Sequence, residues 1–145
     1  MLRRLVKLGL DELSVFDAYS KEVRSLLELA VPVWHAGLTK AQANDIERIQ
    51  KISLRIILGP TYENYQQACK YFDTLTLEER RVKLCLKFAR KNLKSENCLF
   101  KKVAPNLHLR KRSKLVCEYK CRTKRYQRSS LPYLAKLLNS RNTKK

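Results

Sequence analysis

Apolar residues recur at spacings of three and four over most of the first 95 positions, the period of a helix with one buried face. From Leu10 to Val31 the stripe runs through Leu13, Phe16, Tyr19, Val23, Leu26, Leu27 and Ala30. Pro32 ends it, because the residue before a proline is pushed out of the helical region. The connection VPVWHAGL follows, with the only tryptophan, Trp34, beside His35. It is expected as a loop, with His35 in a structural or stacking role. A second helix then opens on a capping box, Thr39 and Gln42, in which each side chain satisfies a backbone donor of the other. Its stripe is Ala43, Ile46, Ile49, Ser53, Ile56 and Ile57, and Gly59-Pro60 is its stop.

A shorter segment from Asn64 sets Tyr65, Ala68, Cys69 and Phe72 on one side. Thr76 and Glu79 form another capping box, opening a helix to about Leu93 with acids first and Arg90 and Lys91 last, as the helix dipole favours. Its apolar residues are Leu77, Leu84, Cys85 and Phe88, with Leu86, Ala89 and Leu93 beside them. So wide an arc suits a helix packed between two partners. After Ser95 the period fades, and only LPYLAKLLN at 131–139 reads as a short terminal helix with Pro132 in its first turn. The pattern predicts an all-α protein. A small bundle of about four helices within residues 1–95 precedes a basic, mostly irregular C-terminal arm, residues 96–145. Three glycines and four prolines provide few of the turns that an all-β fold needs.

Charge sharpens that division. Residues 1–86 hold 13 Lys/Arg and 11 Asp/Glu, a balance of +2, whereas residues 87–145 hold 19 and 2, a balance of +17. A polycation of this kind repels itself and seeks phosphate. Its densest part is RKRSKLVCEYKCRTKRYQR at 110–128, with nine Lys/Arg opposed by Glu118. The candidate nucleic-acid contacts here are Arg110, Lys111, Arg112, Lys114, Lys120, Arg122, Lys124, Arg125, Tyr126 and Arg128. Lys87, Arg90, Lys91 and Lys94 extend them along one side of the fourth helix. Lys and Arg neutralise phosphates and release counterions, while Tyr119 and Tyr126 either stack on exposed bases or pack against the helical body. The competing role for the charges is a solvated tail. A membrane-surface role needs a helix with separate basic and apolar faces. Residues 77–94 come nearest, but their acids and wide apolar arc suit a protein core better.

Catalytic chemistry is not suggested. The aspartates at 11, 17, 45 and 73 are far apart, and there is no glycine-rich phosphate loop, GxSxG or HExxH. Cys98, His108, Cys117 and Cys121 are separated by nine, eight and three residues. Structural zinc uses tighter knuckles, so two unlinked thiols are expected at Cys117 and Cys121 rather than a metal site. No cofactor and no small-molecule substrate are expected. Five cysteines behind a start that Asp11 and Glu12 interrupt do not form a secretory pattern, and no apolar run approaches the roughly 20 residues of a membrane span. An intracellular setting, nuclear or cytoplasmic, with free thiols is expected.

The segment LLELAVPVWHAGLTKAQANDIERIQKISLRIILG resembles the stretch that follows the catalytic palm in reverse transcriptases of non-LTR retrotransposons. The resemblance is carried by Leu27-Glu28, Pro32-Val33-Trp34-His35, Leu38-Thr39, Ile46-Glu47, Ile49-Gln50-Lys51 and Leu54-Arg55-Ile56-Ile57. LTLEERRVKLCLKFARKNLKS and CRTKRYQRSSLPYLAKLLN resemble the downstream part of the same reading frames, in the same order. SKEVRSLLELA departs from the family's usual first helix, and Ser53 stands at a tolerant position. The resemblance implies a helical, thumb-like region with a basic extension that holds template RNA and primer. No position here matches the family's metal-binding aspartates or its endonuclease, so none of its catalytic residues carries over. The expectation is a truncated or degenerate, non-catalytic copy that binds RNA or DNA without sequence preference, through phosphates that both polymers share. The alternatives are a protein-interaction or self-association remnant exposing the apolar face that docks on a palm, and an inert pseudogene product.

Overall fold

A computed structural model of the chain describes residues 1–95, 98–101 and 115–142. Among the described residues the regular structure is helical and no strand forms, so the protein is all-α. Helix α1 is Leu2–Lys7, α2 is Glu12–Ala18, and α2 continues through a π-helical stretch, Tyr19–Arg24, into α3, Ser25–Glu28. Then come α4 (Val31–Trp34), α5 (Lys40–Leu58), α6 (Tyr65–Tyr71), α7 (Leu77–Lys94), α8 (Lys124–Gln127) and α9 (Ser130–Asn142).

Local chemistry accounts for most of these boundaries. Asp11 caps α2 by accepting from the Ser14 amide at 3.0 Å, and hydrogen bonding from Ser14, its side chain first and its amide second, holds the Asp11 carboxyl below the usual carboxylate range. Both halves of the Thr39 capping box form: the Gln42 amide donates to Thr39 Oγ1 at 3.3 Å, and the Thr39 amide to Gln42 Oε1 at 3.0 Å. Gly59 ends α5 at φ +51°, a conformation that glycine adopts without a Cβ penalty. Asn64 caps α6 through the Gln67 amide at 2.8 Å. Thr76 caps α7 through the Glu79 amide at 3.3 Å.

Packing gathers the chain into two units, Met1–Leu29 with Thr39–Arg81, and Ala30–Leu38 with Val82–Lys145. The division falls inside α7, after Arg81, and not near residue 95 where composition changes. Leu77 is buried ahead of it, and Cys85 and Ala89 are buried after it. Phe88, expected on the apolar face, is 37% exposed at its edge.

The first unit closes on Leu2, Val15, Tyr19, Leu54, Ile57, Leu58, Ala68, Cys69 and Phe72. Phe16 stacks on Phe72 with ring centroids 4.3 Å apart. Gln50 is fully buried and satisfied, its amide donating to the Leu75 carbonyl at 3.1 Å. The second unit closes on Val31, Cys85, Ala89, Phe100, Val116, Leu134, Ala135 and Leu138.

Two expectations are corrected in the second unit. VPVWHAGL is not a loop: it forms α4 and a 3-10 turn, His35–Gly37. Pro32 lies in the first turn of α4, where a missing N–H costs nothing. Nor is the terminal helix a mere appendage: residues 115–123 carry no helix, as expected of an irregular arm, but α9 packs into the second core. Helix α9 has 13 residues and supplies three of the core side chains. The buried Asn139 binds both backbone groups of Val116, accepting from its N–H at 3.3 Å and donating to its carbonyl at 3.1 Å. That pairing ties residue 116 to α9 without a sheet. Ser130 also bonds the Pro32 carbonyl, fixing the start of α9 to α4.

Candidate nucleic-acid interface

The second unit carries 20 Lys/Arg against 2 Asp/Glu, a balance of +18, and the first carries 12 against 11, a balance of +1. The described ion pairs, Lys21–Asp17, Arg24–Glu28, Arg80–Glu28 and Arg81–Glu47, all lie in the first unit. Its cleft of about 360 Å³ includes the carboxylates of Glu12 and Glu63, the wrong sign for phosphate.

Helix α7 supplies the most regular cationic surface of the second unit. Lys83, Lys87, Arg90, Lys91 and Lys94 are all exposed or partly exposed. At 3.6 residues per turn, Lys83, Lys87, Arg90 and Lys94 fall within roughly 60° of one another. They stand opposite the buried Cys85 and Ala89 and extend about 16 Å along the axis. An open trough of about 400 Å³ runs among Val82, Lys83, Leu86, Lys87 and Arg90. Sequence reasoning started this stripe at Lys87 and missed Lys83, although its position four residues earlier was a legible signal.

A second cluster surrounds α8. Lys120, Arg122, Lys124, Arg125 and Arg128 are exposed, and Tyr126 is 43% exposed. Thr123 caps the turn, its Oγ1 accepting from the Tyr126 amide at 3.2 Å. The other predicted contacts, Arg110, Lys111, Arg112 and Lys114, lie outside the described residues.

The two tyrosines separate. Tyr119 packs beside the second core and donates to the Leu99 carbonyl at 3.2 Å. Burial is the main cause that pushes its phenol above its ordinary range, with Tyr126 adding to it. Tyr126 belongs to neither core, and its phenol donates to no described group. His35 keeps to a structural setting, its Nε2 lying 3.1 Å from the Tyr133 hydroxyl with the rings edge to face.

Cys98 Sγ accepts from the Phe100 amide at 3.4 Å, and Cys121 Sγ bonds the Tyr119 carbonyl. The five cysteines are free thiols. No group of three metal-ligating side chains occurs among the described residues, and His108 lies outside them. No described helix is long and apolar enough to cross a membrane.

Both clusters present exposed cations of the kind that phosphate contact requires. Because α7 buries Cys85 and Ala89 and half-buries Leu84, Leu86 and Leu93, only one side of it is open to a partner. The side chains on that open side are mainly Lys and Arg, which neutralise phosphates. Comparison of the chain with protein-family models, curated proteins and solved structures gives no match.

Proposed function

We propose that this chain is a non-catalytic nucleic-acid-binding region of reverse-transcriptase type, which holds RNA or DNA by its phosphates without sequence preference. The observation that carries the proposal is the stripe Lys83, Lys87, Arg90 and Lys94 together with the α8 cluster, on a unit with 20 basic and 2 acidic residues. The likeness of residues 26–59 to the segment after a non-LTR retrotransposon palm supports a thumb-like role beside a template and primer. Its work is binding within an intracellular, nuclear or cytoplasmic setting, with no chemical step, cofactor or small-molecule substrate of its own.

Charge reversal tests it. The triple variant Arg122→Glu, Lys124→Glu, Arg125→Glu should weaken binding to all sequences alike. It should also lower the salt slope on duplex by about 0.9 for each phosphate no longer neutralised. Unchanged affinity and slope would remove the α8 cluster from the site.

A second reading has its own observation. In the first unit Leu8, Leu10, Leu13 and Leu26 are exposed, and a surface of this kind supports protein contact or self-association. Oligomerisation insensitive to salt would favour it over nucleic-acid binding.

A further inference from the structure

Tyr126 differs in its setting from the other described tyrosines. Tyr19 is buried and hydrogen-bonded to Gln50, Tyr62 packs against the first core, and Tyr65 donates to Glu47. Tyr71 donates to Glu12, Tyr119 to the Leu99 carbonyl, and Tyr133 meets His35. Tyr126 alone of these stands outside both cores without a described side-chain hydrogen bond, yet its backbone is held from both sides. Its amide donates to Thr123 Oγ1 at 3.2 Å, and its carbonyl accepts from Ser129 Oγ at 2.7 Å. A ring shown to solvent from an anchored turn loses little freedom when something stacks on it. Exposed around it in sequence are Arg122, Lys124, Arg125 and Arg128.

We infer that this turn is a stacking platform for an unpaired base, so that the substrate class is single-stranded nucleic acid. The inference rests on the nucleic-acid reading above. Tyr126 takes the base on its ring, and the flanking cations hold the phosphates on either side. A duplex offers the same phosphates but keeps its bases stacked, with no free base face for Tyr126. Single strands therefore gain a term that duplex lacks. Tyr119, committed to its carbonyl, takes no part.

The test uses the full chain and two variants, Tyr126→Ala and Tyr126→Phe, with labelled oligouridylate and a duplex of equal length, affinities being compared at equal salt and then followed across a range of salt. Removing the ring should weaken single-strand binding roughly 10-fold, with a much smaller effect on duplex. Tyr126→Phe keeps the π-face and should keep the affinity. Because every phosphate contact is retained, the salt slope of Tyr126→Ala should match that of the parent chain. Equal weakening on both ligands, no weakening on either, or failure of phenylalanine to restore affinity would overturn the stacking role while leaving phosphate binding in place. Absence of binding by the parent chain to both ligands would instead overturn the nucleic-acid reading itself.

Discussion

Glu47 lies on α5, yet its carboxylate serves α6 and α7. It accepts from the Leu77 amide at 3.1 Å, the Glu78 amide at 3.2 Å and the Tyr65 hydroxyl, and it lies 3.9 Å from Arg81 Nη1. A negative charge at the start of α7 complements both its unpaired N–H groups and its dipole. The Arg81 side chain is only 2% exposed, and its Nε and Nη1 have no hydrogen-bond partner. Glu47 is thus the nearby counter-charge of a buried cation. Glu47→Ala should cost about 3 kcal/mol or more, since it strands that charge and uncaps α7. Glu47→Gln, which keeps an acceptor, should cost less. Urea midpoints at unchanged m-value would read both. Neither Glu47 nor Arg81 was legible as special, because in sequence they match the solvent charges around them and only the meeting of α5 with α7 sets them apart.

Alkaline stability is decided by single side chains as well. Burial is the largest cause raising the phenols of Tyr19 and Tyr65 above their ordinary value of 10.0, with the Glu47 bond adding to it at Tyr65. In the unfolded chain both ionise near pH 10, while the folded forms keep their protons. The unfolded state therefore binds fewer protons above that pH, and stability must fall as pH rises. The contribution is fully present below pH 10 and should decline above it. A midpoint that stayed level from neutral pH to pH 11 would contradict these two environments.

At the scale of elements, the legible features were those with a local chemical signature. Thr39 with Gln42, Asn64, Thr76 and Gly59-Pro60 each mark a boundary through contacts within a few residues, and those boundaries appear where expected. Thr39→Ala should remove one cap bond from α5 and cost about 1 kcal/mol, whereas Thr39→Ser should cost little. Equal melting temperatures for all three chains would show that the box does not support the helix. Helices α1 and α4 were not legible, being too short to display a period. They depend instead on long-range burial of Leu2 and Val31, which no short window contains. Ala30 adds a break between α3 and α4 by adopting φ +51°, a conformation that alanine does not advertise. Helix α9 was read too short and as an appendage. Asn139, which resembles a helix-ending residue, turns inward to Val116 and keeps the helix in the core. A different tertiary contact explains why the roles of Tyr119 and Tyr126 stayed open in sequence: no period connects them, and their difference is made by the Leu99 carbonyl, which accepts from Tyr119.

For the molecule as a whole, the charge asymmetry visible in composition persists in the packing units, with the boundary moved to residue 81. That shift joins Lys83 to the basic surface and makes the C-terminal helix part of the body that carries it. The central claim is that the exposed cations of the second unit engage phosphates as a site rather than only solubilise the chain. The most direct test is the affinity of the full chain for single-stranded RNA, measured by fluorescence anisotropy across a range of salt. If the four α7 cations each neutralise one phosphate, log K should fall with log salt with a slope of about −3 from them alone, at about 0.7 per phosphate, and steeper as α8 joins. A flat salt response, or no binding at low salt, would mean that the charge is not organised into a site and would contradict the account.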